Sequence, residues 1–300
     1  MNRLETHFLD CNMKNPVLSA SGTFGYGSNY MDYFDPAILG GVISKGITLY
    51  PKDGNSGIRI YETPSGVLNS IGLQNPGVSG FIENYLPAMK LLGCAVIVNL
   101  GGNTIQEYIQ GALLLNNCDI DILELNISCP NVKEGGMAFG IKTNDVYNSV
   151  KAVREVYNGK LMVKMSPNAE DIVAASVAAQ KAGADAISLI NTLQAMAIDI
   201  KNKKAVFDNL YAGLSGPAIM PIALRMVHQV AKAVDIPVSG VGGIACVEDA
   251  LAFLMVGAQT IQVGSAVFND VNVYTQIIQG LNEYCEENAL DSINQIIGII

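Results

Sequence analysis

The sequence predicts an α/β chain folded as a single (β/α)8 TIM barrel over residues 1–300, with hairpin insertions at the face formed by the carboxyl ends of its strands. Three observations carry that expectation. Short apolar, β-branched runs recur eight times at separations that leave room for helices. The segments between the later runs have helical periodicity. Three of them meet the next strand in the same way, "LLGCAVIVN", "KAGADAISLIN" and "MVGAQTIQVGS" each placing a glycine where a helix would end. Glycine suits the left-handed turn that closes a helix. A doubly wound parallel sheet uses the same alternation and is the structural alternative.

Taken in order, the candidate strands are "PVLSA" from Pro16, "GVISK" from Gly41, "AVIVN" from Ala95, "DILELN" from Asp121, "LMVKM" from Leu161, "AISLI" from Ala186, "IPVSG" from Ile236 and "TIQVG" from Thr260. After the third, Ile105, Tyr108, Ile109, Ala112 and Leu113 fall on one helical face behind a Thr104/Glu107 capping box. Another helix is expected from near Asn168 to Gly183. Two connections, Thr48 to Ser70 and Leu193 to Ser215, are too long for ordinary barrel loops and contain alternating stretches around turn residues, "GIRIYETPSG" and "AIDIKNKKAVF". They read as hairpins, suited to a lid or to a subunit interface.

Composition excludes several classes. With 18 basic against 27 acidic residues, a net charge of -9 and no run of Lys or Arg, neither nucleic acid nor an anionic membrane is an expected partner. The longest apolar run, "ALAFLMVGA" from Ala250, is about half of the roughly 20 residues a membrane helix needs. The amino terminus lacks a basic region followed by a long apolar run. The six cysteines, Cys11, Cys94, Cys118, Cys129, Cys246 and Cys285, form no CxxC pair. That pattern points to a reduced, cytoplasmic chain with no iron–sulfur, zinc or other metal site of its own.

Polar residues at strand ends carry the candidate chemistry. Lys45 and Lys164 each end an apolar strand. An unpaired buried ammonium is prohibitively costly, so each lysine either reaches water or faces something anionic at the barrel mouth. A ligand's negative charge, a cofactor's electron-rich edge or a Schiff base would each use them. "SGVGGI" (Ser239 to Ile244) and "VGSAVF" (Val263 to Phe268) follow the seventh and eighth strands, the usual phosphate position of a barrel. Along "DILELN", alternation groups Ile122, Glu124 and Asn126 on one face. If that face is the interior, Glu124 is placed to neutralise Lys164, and Asn126 sits at the rim. Cys129 follows in the loop, flanked by Asn126, Ser128 and Asn131, a setting that favours an accessible thiolate where most cysteines are structural. His7 and His228 read as structural or solvent-exposed, which leaves a histidine-based hydrolase or metal site without material.

"SASGTFGYG", "SKGIT", "NSIGLQNPG", "LNISCPN", "VKMSPN", "INT", "SGPA", "VSGVGGI" and "QVGSAVF" occur in this order, and together they resemble dihydroorotate dehydrogenase over nearly the whole chain. The resemblance implies an FMN-binding (β/α)8 barrel that oxidises dihydroorotate to orotate in pyrimidine (UMP) synthesis. It implies Cys129 as the base that takes a proton from carbon 5 while a hydride leaves carbon 6 for the flavin. Substrate contacts would be Lys45, Asn69, Ile71, Gly72, Leu73, Asn126, Asn191 and Thr192. FMN contacts would be Ser21, Lys45, Gly46, Asn99, Asn126, Lys164, Ile190, Gly216, Gly242, Gly243, Gly264 and Ser265, with Lys164 answering the flavin's negative charge.

Cysteine rather than serine at Cys129 resembles class 1, and the absence of a hydrophobic amino-terminal extension argues against the membrane-bound class 2. "NVKEGG" after the cysteine is similar to class 1B, whose catalytic subunits pair with an electron-transfer subunit carrying FAD and an iron–sulfur cluster and deliver electrons to NAD. The implied assembly is a heterotetramer around a homodimer of barrels. The nearest alternative is the class 1A homodimer that reduces fumarate. From a different class, a Schiff-base lyase or aldolase acting on a phosphorylated substrate would use Lys164 or Lys45, and a non-catalytic ligand-binding barrel is a third reading.

Overall fold

The computed structural model describes residues 2–128 and 139–300. All eight expected strands form and close into one parallel barrel: β1 (Val17–Ser19), β2 (Gly41–Ile43), β3 (Ala95–Leu100), β4 (Ile122–Asn126), β5 (Lys160–Lys164), β6 (Ala186–Leu189), β7 (Val238–Val241) and β8 (Thr260–Val263). Each strand pairs with its neighbour in sequence, and β8 returns to β1. The doubly wound alternative is excluded, because an open sheet has edges and this one has none.

Period-2 alternation divides the strands. On β3 and β4, Val96, Val98, Leu100, Leu123 and Leu125 face outward into the helical layer. Ile97, Asn99, Ile122, Glu124 and Asn126 point the other way, into the barrel. Each aliphatic side chain buried in the outer layer contributes about 1.5–3 kcal/mol. At the amino-terminal end of the barrel, Leu18, Ile43, Ile97, Ile122, Met162 and Ala186 form an apolar floor. An antiparallel hairpin that precedes the barrel, Thr6–Phe8 with Cys11–Met13, inserts Phe8 and Met13 into this layer. Asp10 at its turn pairs with Lys160 at the base of β5.

Helices α1 (Gly77–Asn84), α2 (Leu86–Lys90), α3 (Ile105–Leu115), α4 (Thr143–Arg154), α5 (Ile172–Lys181), α6 (Met220–Ala231), α7 (Val247–Met255) and α8 (Val273–Glu287) surround the barrel. The β1–β2 connection contains two short 3-10 turns. Thr104 caps α3, its hydroxyl accepting from the Glu107 N–H at 3.1 Å. The return arm differs from the expected box: the Glu107 carboxylate accepts from the Asn103 N–H, at 2.8 Å. Helix α5 starts later than the sequence suggests, because Asp171 caps it by accepting from Val173 and Ala174 at 3.0 Å. Asn168 is left to tie the β5 loop to the chain after β6, accepting from the Gln194 N–H at 3.1 Å.

The two insertions are hairpins, and they join. Ile60–Thr63 pairs with Gly66–Asn69, and Leu193–Met196 pairs with Tyr211–Ser215. Ser215 lies opposite Val67 and Gly213 opposite Asn69, which makes one four-stranded antiparallel sheet from two separate stretches of chain. Leu68, Phe207 and Ala212 form its own small core. A two-residue ribbon, Ile198–Asp199 with Lys204–Ala205, extends beyond it.

Candidate active site

The carboxyl ends of the barrel strands and the four-stranded sheet enclose a cavity of about 770 Å3, a volume suited to a cofactor with a small substrate. Every sequence-predicted site residue that is described lines it. Ser21 follows β1, Lys45 and Gly46 follow β2, Asn99 and Asn126 rise from β3 and β4, and Lys164 ends β5. Ile190, Asn191 and Thr192 follow β6; Gly242 and Gly243 follow β7; Gly264 and Ser265 follow β8. Asn69, Ile71, Gly72 and Leu73 come from the first insertion and the turn behind it, and Gly216 from the end of the second. Cys129 lies outside the described residues, as do Asn131 and the "VKEGG" that follows.

Above the apolar floor the barrel turns polar. Glu124 is fully buried. Its carboxylate accepts from Asn99 Nδ2 at 2.6 Å, Ser188 Oγ at 2.7 Å and Gln262 Nε2 at 3.2 Å. Asn126 Nδ2 donates to Asn99 Oδ1 at 3.3 Å, and Asn126 Oδ1 accepts from Ser128 Oγ at 2.7 Å. Asn191 Nδ2 donates to Ser128 Oγ, and its own Oδ1 accepts from the Thr192 N–H at 2.7 Å. The amides on the cavity wall are therefore held in defined orientations before any ligand arrives, which lowers the ordering cost of binding.

The expected Glu124–Lys164 ion pair does not form among the described residues. The register explains the difference: Asn126 lies opposite Lys164, while Glu124 lies opposite Met162, nearer the floor. Lys164 is 4 % exposed and donates to Ser21 Oγ at 3.1 Å. A buried ammonium whose described partner is a hydroxyl leaves charge available to an anionic group in the cavity. Lys45 stands across the mouth. Burial, and secondarily the Arg59 guanidinium, hold its pKa below the ordinary lysine value. Arg59 itself is spent on Asn55 O, Gln74 Oε1 and Asp53 O, at 2.6, 3.1 and 3.1 Å.

At the opposite wall, loops after β7 and β8 bring backbone to the cavity surface. Gly243 has φ 79°, and a Cβ there would sit 2.7 Å from Met220 Cβ and 2.8 Å from Gly216 O. Glycine is required on both counts. Backbone without side chains at this wall, amides around the middle and an inward lysine fit a planar heterocycle carrying a phosphate, as FMN does.

The other five cysteines do not compete with Cys129 for a base role. Burial pushes Cys94 up to about 12 and Cys11 and Cys246 up to about 11, and raises Cys118 and Cys285 as well. None of the five lines the cavity, and neither does His7 or His228. Sequence reading missed one group of wall residues: Asn55, Ile60 and Val67 from the first insertion, and Asp208 to Ala212 from the second. Their alternation marked hairpins, but only the joining of the two insertions decides which face meets the cavity.

The profile of the family described as "Dihydroorotate dehydrogenase" matches residues 3–285. A protein of Petrotoga mobilis named "Dihydroorotate dehydrogenase B (NAD(+)), catalytic subunit" is 52% identical over 287 residues, covering 96% of each chain. Proteins of the same name from Thermoanaerobacter pseudethanolicus and Bacteroides thetaiotaomicron are 50% and 48% identical, covering 95% and 100% of this chain and 95% and 99% of their own. No helix among the described residues is long and apolar enough to cross a membrane. Likeness on this scale, spread along the sequence that builds both the barrel and its inserted sheet, means that the chain belongs to the dihydroorotate dehydrogenase family.

Proposed function

We propose that this chain is the catalytic subunit of an NAD-linked, class 1B dihydroorotate dehydrogenase, oxidising (S)-dihydroorotate to orotate in the cytoplasm for pyrimidine synthesis. The observation that carries this reading is the convergence of the family's motif residues, from all eight barrel strands and both insertions, on one cavity.

In the reaction a C5=C6 double bond forms as carbon 5 loses a proton and carbon 6 loses a hydride. FMN, when bound, takes the hydride. Cys129 is the proposed acceptor of the proton, since a thiolate is a competent base near neutral pH. Asn69, Asn126, Asn191 and Thr192 offer donors and acceptors to a ring of alternating carbonyl and N–H groups. Lys45 answers the substrate carboxylate. Ile71, Gly72 and Leu73 close over the ring, with Leu73 itself at φ 53°. On the cofactor side, Lys164, Asn99 and Ser21 hold the heterocycle, and Gly216, Gly242, Gly243, Gly264 and Ser265 hold the phosphate.

The chain's relatives are named as catalytic subunits, which supports a second polypeptide that receives the electrons. That subunit is proposed to carry FAD and an iron–sulfur cluster, in a heterotetramer around two barrels. The exposed apolar side chains of the inserted ribbon, Ile198 and Ile200, suit a contact between the two barrels. The test is to purify the chain alone and with its co-expressed partner, measure bound FMN, and compare NAD with fumarate as acceptor. Protein that takes up no flavin sinks the reading. Efficient fumarate reduction by the lone chain moves it to class 1A, and borohydride trapping of substrate on a lysine moves it to a Schiff-base enzyme.

A further inference from the structure

Glu124 has no position in the chemistry just described, yet the barrel is built around it. It is fully buried, and within the described residues its carboxylate meets three neutral donors and no cation. Burying a carboxylate this way is costly compared with an aliphatic side chain of similar size. The fold does not demand it, because the layer directly beneath closes with Ile43, Ile97, Ile122 and Met162.

The bonds around it have a direction. An asparagine amide can turn over, exchanging donor for acceptor with little change in shape, so its orientation must be set by a group of fixed polarity. Asn126 has such a group, since its Oδ1 accepts from the Ser128 N–H at 3.3 Å. Asn191 has one in the Thr192 N–H. For Asn99, whose described amide bonds run to Glu124 at 2.6 Å and to the oriented Asn126 amide at 3.3 Å, the closer such group, and the charged one, is Glu124. A carboxylate that only accepts forces Asn99 to present Nδ2 downward and Oδ1 upward. The upward oxygen is what Asn126 Nδ2 needs, and it sits 2.9 Å from where a Cβ on Gly46 would be.

We infer that Glu124 is a positioning residue, whose acceptor oxygen locks the Asn99 amide so that Asn99 and Asn126 present one fixed donor–acceptor pattern to the ligands above. The effect on flavin and orotate rests on the function proposed above; the lock on the amides does not.

Two substitutions separate acceptor geometry from charge. Glu124→Gln keeps an oxygen for Asn99 and points its new N–H groups at Ser188 and Gln262. Among the described residues Gln262 Oε1 is buried without a partner, so turning that amide over supplies an acceptor. Glu124→Leu removes the acceptor altogether, with Glu124→Ile as a second acceptor-free variant should the leucine fail to fold. Each is compared with the wild type by the dissociation constant of FMN, by that of orotate on the FMN-loaded protein, and by NMR of the Asn99 and Asn126 side-chain amides in ligand-free protein. The expected result is that Glu124→Gln stays within about threefold of wild type on both constants with its amide resonances in place. The acceptor-free variant binds both ligands about tenfold or more weakly and its amide resonances shift.

An acceptor-free variant that matches the wild type in affinities and resonances overturns the inference. So does a glutamine variant as impaired as the leucine, because charge and not orientation would then be what Glu124 supplies. Should the wild type bind flavin but not orotate, the substrate reading falls, while the flavin constants and the amide resonances still decide the role of Glu124.

Discussion

The two ends of the barrel interior use the same strands and the same alternation to opposite ends. At the floor, inward positions are Ile43, Ile97, Ile122 and Met162, sealed by Phe8 and Met13. Two residues further along, the same inward faces carry Lys45, Asn99, Glu124 and Lys164, and two beyond Glu124 comes Asn126. Each of these four strands, β2 to β5, is thus apolar where it enters and polar where it leaves. The difference teaches that one short strand can serve stability and chemistry at once, because a step of two residues rises only about 6.6 Å and changes layer without changing face.

The largest expected effect lies at the polar end. Cys129→Ser should keep FMN and orotate binding but lower dihydroorotate oxidation near neutral pH by about 10²–10⁴-fold, with part of the rate returning at high pH as the weaker acid ionises. Stopped-flow bleaching of the flavin measures this directly, and unchanged turnover would remove the cysteine from the mechanism. Next is the floor. Phe8 is fully buried in the apolar layer, and Phe8→Ala should destabilise the protein by about 3–5 kcal/mol. Denaturant unfolding reads that loss. FMN affinity and turnover, measured where the variant is still folded, should not move; a fall in either would break the separation between the two ends.

How much of this was legible from the sequence follows the same division. The eight strands announced themselves, because a two-sided buried strand is a short continuous apolar run and little else in this sequence looks like one. The hairpin that seals the floor was not seen. Its turn is Leu9–Asp10, with φ 51° and 64°, in place of the Asn-Gly or Asp-Gly that signals such turns. At the polar end, family motifs marked the individual residues, while Glu124 drew an expected partner, Lys164, that it does not meet. Register caused that miss: sequence gives the face of a strand residue, but its height in the barrel depends on the stagger between strands. The union of the two insertions into one sheet was hidden for a related reason, since pairing between Val67 and Ser215 joins residues 148 apart in sequence.

A glycine at the cavity wall tests whether backbone, and not side chains alone, belongs to the functional end. Gly243→Ala combines a positive φ with a Cβ less than 3 Å from Met220 and Gly216. Strain of about 1–3 kcal/mol is expected. Released by a shift of the loop, it should appear as an FMN affinity lower by about tenfold, with the barrel still folded by circular dichroism. Wild-type FMN affinity in this variant would mean that the loop after β7 does not hold the phosphate.

The smallest effect concerns Lys45 and separates its charge from its shape. Burial and Arg59 depress its pKa below the ordinary value of 10.5. A carboxylate ligand favours the charged lysine, so its affinity is complete below the pKa of the free site and declines as pH rises through it. Because that pKa is lowered, the decline should begin at a lower pH than an ordinary lysine would give. Orotate titrations at several pH values measure the slope. Lys45→Met should bind more weakly throughout and lose this slope; if the slope survives in the methionine variant, some other group titrates there and Lys45 is not what holds the carboxylate.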